Sequence, residues 1–149
     1  MSNLLHADGP LATAAFPRNP THFNSARPAR LRRGELVTVV TTFMREHVGE
    51  PVKVARLSQM VGVSERTLRA AFHDVIGISP KRYALTLRLR AAHAALAHAD
   101  PQTTTVTDIA TTFGFYELGR FAGRYRHTFG EVPSRTLRQA ADEPSEQAS

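Results

Sequence analysis

The 149-residue sequence contains no cysteine. Disulfides and thiolate zinc sites are therefore excluded. No apolar run approaches the ~20 residues that a membrane-spanning helix needs. The opening stretch, MSNLLHADGPLATAAFPRNP, has no basic segment ahead of its apolar residues, so it does not read as a secretory signal. These absences point to a cytoplasmic protein. Metal-ligand spacing is missing as well: His93 and His98 are five apart, off the i,i+4 spacing that a helical metal site prefers. His73 and Asp74 are adjacent, so on a helix they diverge and make a poor catalytic dyad. Nothing in the sequence calls for a cofactor, a metal or enzymatic chemistry.

Lysine is also scarce. Of nineteen basic residues, seventeen are arginine. Arginine favours two-pronged contact with phosphates and base edges. The net charge of +6 is unevenly placed. Residues 27–138 hold eighteen bases against nine acids, residues 1–26 cancel, and residues 139–149 carry three acids and no base. A basic globular segment between neutral and acidic ends suggests a polyanionic partner.

The chain is organised around Val54 to Tyr83, VARLSQMVGVSERTLRAAFHDVIGISPKRY. Val54, Leu57 and Val61 recur at helical spacing. Gly62 lets the chain leave that helix with positive φ. Ser64 caps a second helix, whose stripe is Leu68, Phe72 and Val75, and Gly77 ends it. Helix, glycine turn and amphipathic second helix are the parts of a helix-turn-helix. At about 100° per residue, Arg66, Ala70 and His73 face away from the stripe, with Thr67 and Arg69 at the margins. Such a face suits a major groove, where a guanidinium donates two hydrogen bonds to guanine. A solvated face on an ordinary helical hairpin has the same pattern, so one copy does not decide.

The second half of the chain repeats the first. Val54, Leu57 and Gly62 recur 52 residues later as Val106, Ile109 and Gly114. Leu68, Phe72, Gly77 and Pro80 recur 53 residues later as Phe121, Tyr125, Gly130 and Pro133. The one-residue slip falls just after the turn. Taken in order, helices are expected over Glu35 to His47, Val54 to Val61, Ser64 to Ile76, Pro80 to about Ala99, from a Thr107 cap to Thr112 or Phe113, from Tyr116 or Glu117 to Thr128, and Pro133 to Arg138. The fold is all-α: seven helices forming two helix-turn-helix subdomains joined by a long linker helix. The first helix should bury Leu36, Val39, Val40, Phe43 and Met44, and the sixth should bury Leu118, Phe121 and Tyr125. On the sixth helix Gly119, Ala122, Gly123 and Arg126 should face outward, with Arg120 and Arg124 on the flank. Two readings stand for the smooth Gly119–Gly123 patch: close approach of backbone to DNA, or packing against a neighbouring helix. Residues 1–33 read as a disordered leader ending in a basic arm, RPARLRR, and residues 139–149 as a disordered acidic tail.

These residues resemble the DNA-binding domain of AraC/XylS transcription regulators. The resemblance is carried by Ser64, Arg66, Leu68, Phe72, Gly77, Ser79, Pro80 and Tyr83; then Arg88, Leu89 and Ala92; then Asp108, Ile109, Ala110, Gly114, Phe115, Phe121, Tyr125, Phe129, Gly130, Pro133 and Ser134. It covers roughly residues 35–138. It implies a sequence-specific regulator that sets two recognition helices in successive major grooves of double-stranded DNA, about 34 Å apart. A linker helix of ~20 residues spans roughly 30 Å, so a monomer could do what a dimer usually does. The DNA-binding residues so implied are Ser64, Arg66, Thr67, Arg69, Ala70 and His73 on the first unit and Gly119, Arg120, Ala122, Gly123, Arg124 and Arg126 on the second. Contact with RNA polymerase is implied by the resemblance alone. Arg88 is taken as structural first and phosphate-contacting second. The sequence departs from the family's commoner pattern at Ala70, where arginine is frequent, and at the two glycines.

Some DNA alkylation-repair methyltransferases carry a domain of this family, but their chemistry needs a cysteine acceptor, and none is present. A non-specific architectural DNA binder or a protein-interaction module remains a rival reading, which competition with random DNA separates from a regulator. The roughly 34 residues ahead of the domain are too few for the effector domain that many family members carry. The chain reads either as a stand-alone regulator or as a fragment of a longer one.

Overall fold

The duplication is written in the backbone. The computed structural model describes residues 31–142. Residues 1–30 and 143–149, which hold most of the expected leader and tail, lie outside the described residues. Seven helices are described: α1 Arg33–Glu46, α2 Val54–Met60, α3 Glu65–Ile76, α4 Pro80–His98, α5 Val106–Thr112, α6 Leu118–Phe129 and α7 Pro133–Asp142. No strand occurs among the described residues.

The two helix-turn-helix turns close with the same hydrogen bonds. In the first, Val63 N–H donates to the Ser58 carbonyl at 3.0 Å and Gly62 N–H to that of Gln59 at 3.2 Å. In the second, Phe115 N–H donates to Ala110 at 2.8 Å and Gly114 N–H to Thr111 at 3.0 Å, each partner 52 residues on. Gly62 and Gly114 hold φ of 69° and 76°, a region costly for any side chain with a Cβ. α3 and α6 then end alike on left-handed Gly77 and Gly130.

Each unit has its own core, and α4 belongs to both. Leu36, Val40, Met44, Leu57, Leu68 and Phe72 pack together with Ala84 from the first half of α4. Leu89, Ala92 and Leu96 from its second half pack with Ala110, Phe115, Phe121, Tyr125 and Leu137. Full burial of a side chain such as Phe72 contributes about 2–3 kcal/mol. α4 starts where Ser79 accepts from Arg82 N–H at 3.2 Å, with Pro80 in its first turn. Its 19 residues span about 28 Å. The units also touch directly: a Cβ on Gly49, in the α1–α2 connection, would sit 3.2 Å from the Thr112 carbonyl oxygen.

Tyr125 joins the second core to a polar chain. Its phenol donates to Thr136 Oγ1 at 2.8 Å, Thr136 donates to Glu131 Oε1 at 2.6 Å, and His93 Nδ1 lies 2.7 Å from the phenol oxygen. With the phenol proton directed at Thr136, His93 supplies the N–H of its own bond. The His93 ring also stacks on Phe129, centroids 4.3 Å apart.

Several boundaries and faces differ from expectation. α1 buries Leu36, Val37, Val40, Thr41 and Met44, whereas Val39 is 44% exposed. Val75 is 49% exposed, and Ile76 closes the α3 stripe instead. Leu118 is 40% exposed rather than inward. α5 is capped by Thr105, not Thr107. Thr105 Oγ1 accepts from Asp108 N–H at 3.1 Å while the Asp108 carboxylate accepts from Thr105 N–H at 3.0 Å. This reciprocal pair holds the Asp108 carboxyl below its ordinary range, first through the Thr105 hydroxyl and then through its backbone N–H. α6 starts at Leu118, with Glu117 as the residue before it. α7 runs past Arg138 to Asp142, so the first four residues of the expected tail are helical. Arg33, expected at the end of the free basic arm, opens α1 and forms an ion pair with Asp74 of α3.

Candidate nucleic-acid interface

α3 opens with an N-terminal cap: Ser64 Oγ accepts from Thr67 N–H at 3.1 Å and lies 2.9 Å from the Thr67 hydroxyl. Beyond this cap, Arg66, Thr67, Arg69, Ala70 and His73 are all exposed, while Leu68, Ala71 and Phe72 are buried beneath them. The two arginines are not equivalent. Arg69 donates to Glu65 Oε2 at 2.7 Å, one turn earlier. Arg66 forms no ion pair among the described residues. In water such an i,i+4 pair adds only about 0.3–0.5 kcal/mol. Its consequence is for availability, because Arg69 must leave a carboxylate before it can pair with a ligand and Arg66 need not.

α6 repeats this division without the cap. Glu117 stands 53 residues after Ser64 but makes no side-chain cap. Its carboxylate instead accepts from Arg120 Nε at 3.0 Å. Arg124 and Arg126 form no ion pair among the described residues. Gly119, Arg120, Gly123, Arg124 and Arg126 are exposed, but Ala122 is half-buried and so leaves the expected outward set. A Cβ placed on Gly119 or Gly123 meets nothing within 4 Å. The smooth patch therefore packs against no helix of this chain among the described residues.

Arg88 links the units from the middle of α4. Its guanidinium lies 5.1 Å from the centre of the Phe115 ring, in the second helix-turn-helix turn. A Cβ on Gly114 would sit 3.4 Å from Arg88 Nη1 and 3.3 Å from the Gly49 carbonyl oxygen. Burial, and then the nearby charge of Arg124, hold the Arg88 pKa below its ordinary value. Its Nε is buried and has no hydrogen-bond partner. Among the described residues no three His, Cys, Asp or Glu gather as metal ligands would. No helix among them is long and apolar enough to cross a membrane.

Sequence reasoning missed five exposed residues around these faces. Tyr116, 77% exposed, and Leu118 stand at the entry to α6. Both look like core residues by composition; Tyr116 falls outside the Phe121–Tyr125 stripe, whereas Leu118 lies on it and periodicity places it inward. Lys81 and Arg82 sit in the first turn of α4, where no helix-turn-helix pattern directs attention. His127 was within reach, since it continues the i,i+4 row of Gly119 and Gly123.

A family model described as a helix-turn-helix domain matches residues 57–139. A probable thc operon regulatory protein of Rhodococcus erythropolis is 39% identical over 103 residues, which are 69% of this chain and 31% of that protein. The chain spans about a third of the length of the first curated relatives it matches. Among solved structures, a probable AraC family transcriptional regulator from Rhodopseudomonas palustris superposes with a TM-score of 0.66 at 39% identity, covering 70% of this chain and 96% of that one. An AraC-type transcriptional regulator from Chromobacterium violaceum gives a TM-score of 0.65 at 28% identity, covering 73% and 95%. With that domain matched over more than half of its length, this chain belongs to the AraC family of transcription regulators.

Proposed function

We propose that this chain binds double-stranded DNA sequence-specifically as the DNA-reading part of a transcription regulator, acting as a monomer in the cytoplasm. α3 and α6 enter successive major grooves. The observation that carries this reading is the duplicated turn geometry, which sets two exposed, cation-bearing helices on one 19-residue helix. A rigid spacer of about 28 Å approaches the ~34 Å between neighbouring grooves on one side of DNA. Arg66, Thr67, Arg69, Ala70 and His73 form the first reading face, beside the Ser64 cap. On the second unit Arg120, Arg124 and Arg126 hold phosphates around the Gly119–Gly123 patch, and half-buried Ala122 supports that patch. Contact with RNA polymerase rests on family membership alone.

Selection of binding sites from random duplexes tests this. The expected result is a bipartite motif whose halves lie one helical turn apart, bound by one chain per site. Failure to enrich any motif over random DNA overturns sequence-specific recognition. A motif bound only by two chains overturns the monomeric arrangement.

A further inference from the structure

A groove of about 620 Å³ runs between the first half of α4 and the second half of α6. Lys81, Arg82 and Arg88 line it from α4, and Arg124 and His127 from α6, with no carboxylate among the lining residues. None of Lys81, Arg82, Arg88 and Arg124 is in an ion pair among the described residues. Four guanidinium or ammonium groups thus face one space with nothing to balance them. Arg88 is the least comfortable of the four. Its Nε is shut from solvent without an acceptor, and Arg124 adds like charge beside it. A fold does not hold two guanidiniums in this way for stability, because an unpaired buried donor and like-charge crowding both cost free energy. An anion in the groove relieves the crowding of like charge.

The shape of the site selects the anion. The cations do not converge on one point. Lys81 to Arg88 extends about 10 Å along α4. A single DNA strand carries a charge every ~3.4 Å of helix axis, so a row of this length matches a strand better than one small ion. The groove is lined by Gly123 and Arg124, which also belong to the exposed face of α6. The space over Gly123 is open, so a backbone can pass close to α6 at that point. When two reading helices occupy neighbouring grooves, the strand between them has to pass the element that joins them. Here that element is α4.

We infer that α4 and α6 together clamp the sugar–phosphate backbone of the DNA segment between the two occupied major grooves, with Lys81, Arg82, Arg88 and Arg124 as its phosphate contacts. This rests on the two-groove reading above. The linker helix then acts as a binding element as well as a spacer.

The test uses the full chain and its selected operator. The doubly substituted Lys81→Ala/Arg82→Ala variant should keep the base preference of the parent. Its plot of log affinity against log salt should be shallower by about 1.8, since each lost phosphate contact removes about 0.9 from the slope. Hydroxyl-radical footprinting should show backbone protection between the half-sites in the parent and its loss in the variant. Both residues are exposed, and circular dichroism checks the fold. Should alanine disturb the first turn of α4, the Lys81→Gln/Arg82→Gln pair must give the same slope change. An unchanged slope with unchanged footprint overturns the clamp and leaves two-groove binding standing. A parent that selects no bipartite site overturns both.

Discussion

Replacing Gly119 and Gly123 together by alanine should make the protein more stable and a poorer DNA binder. Gly123 sits in the middle of α6, where glycine costs about 0.8–1 kcal/mol relative to alanine. Gly119 is the second residue of α6, where fraying reduces the effect to about half of that. Neither added methyl meets another atom within 4 Å, and neither position has positive φ, so no strain offsets the gain. The double variant should gain about 1–1.5 kcal/mol, raising the melting temperature by roughly 5–10 °C for a domain of this size. Thermal unfolding followed by circular dichroism measures this. On the selected operator the same variant should bind at least about tenfold more weakly, equivalent to ~1.4 kcal/mol, because two methyl groups hold the α6 backbone off the duplex. Fluorescence anisotropy with labelled duplex measures that. Opposite movement of the two quantities is the signature. A melting temperature that does not rise would mean that the patch is not free. A rise with unchanged affinity would mean that the glycines do not serve close approach to DNA, and the reasoning about α6 would fail.

Arg66→Ala should relax base preference at one position and cost about 1–3 kcal/mol on the operator, whereas Arg124→Ala should weaken all duplexes alike; equal losses on operator and random DNA for Arg66→Ala would refute its base-reading role. The Asp108 capping pair predicts a pH dependence of known sign. A carboxyl whose pKa is depressed by folding stabilises the protein above its ordinary value of about 3.9, and that contribution disappears as pH falls through the lower folded value. The melting temperature of Asp108→Ala should therefore lie below the parent's at pH 6, and the gap should begin to close below about pH 4 as pH falls toward the lower folded value; a constant gap would refute the assignment. Tyr125→Phe leaves His93 without its phenol partner while Thr136 keeps Glu131, and should cost about 1–2 kcal/mol by denaturant unfolding.

The scaffold was legible because it is duplicated. Turn glycines, helix ends and the buried aromatics fall in matching registers, and the turn hydrogen bonds follow the same offset. Where periodicity failed, the repeat held the correction. Leu118 is apolar and its spacing points it inward, but it aligns with Glu65, which is not buried. Val75 aligns with Thr128, and both are exposed. A helical stripe is wide enough to be centred on either side, and the choice is made by the partner helix. In α1 that partner is α3, and the buried rows are Leu36, Val40, Met44 and Val37, Thr41, spaced by four, rather than rows through Val39 and Phe43. The candidate site was less legible. Exposure of a cation follows from its register, but whether it is held depends on a side chain one turn away, as Glu65 holds Arg69 and Glu117 holds Arg120. The α4–α6 groove is assembled from residues about forty positions apart, and no local pattern contains it.

The same alignment explains why two copies of one scaffold need not read DNA in the same way. Arg66 aligns with Gly119, Ala70 with Gly123, and His73 with Arg126. A free guanidinium at the head of α3 is thus matched by bare backbone at the head of α6. Buried Ala71 aligns with exposed Arg124, which turns toward α4 and lines the cationic groove. On the proposed reading, side chains that discriminate bases are concentrated on α3, and those that hold phosphates on α6 and the linker. Glycine offers no side-chain donor to a base edge, and phosphate contacts carry register but no sequence. On this partition α3 selects the bases. α6 and α4 fix where on the duplex that selection is made, and the 19-residue helix between them converts a non-specific grip into a spacing requirement.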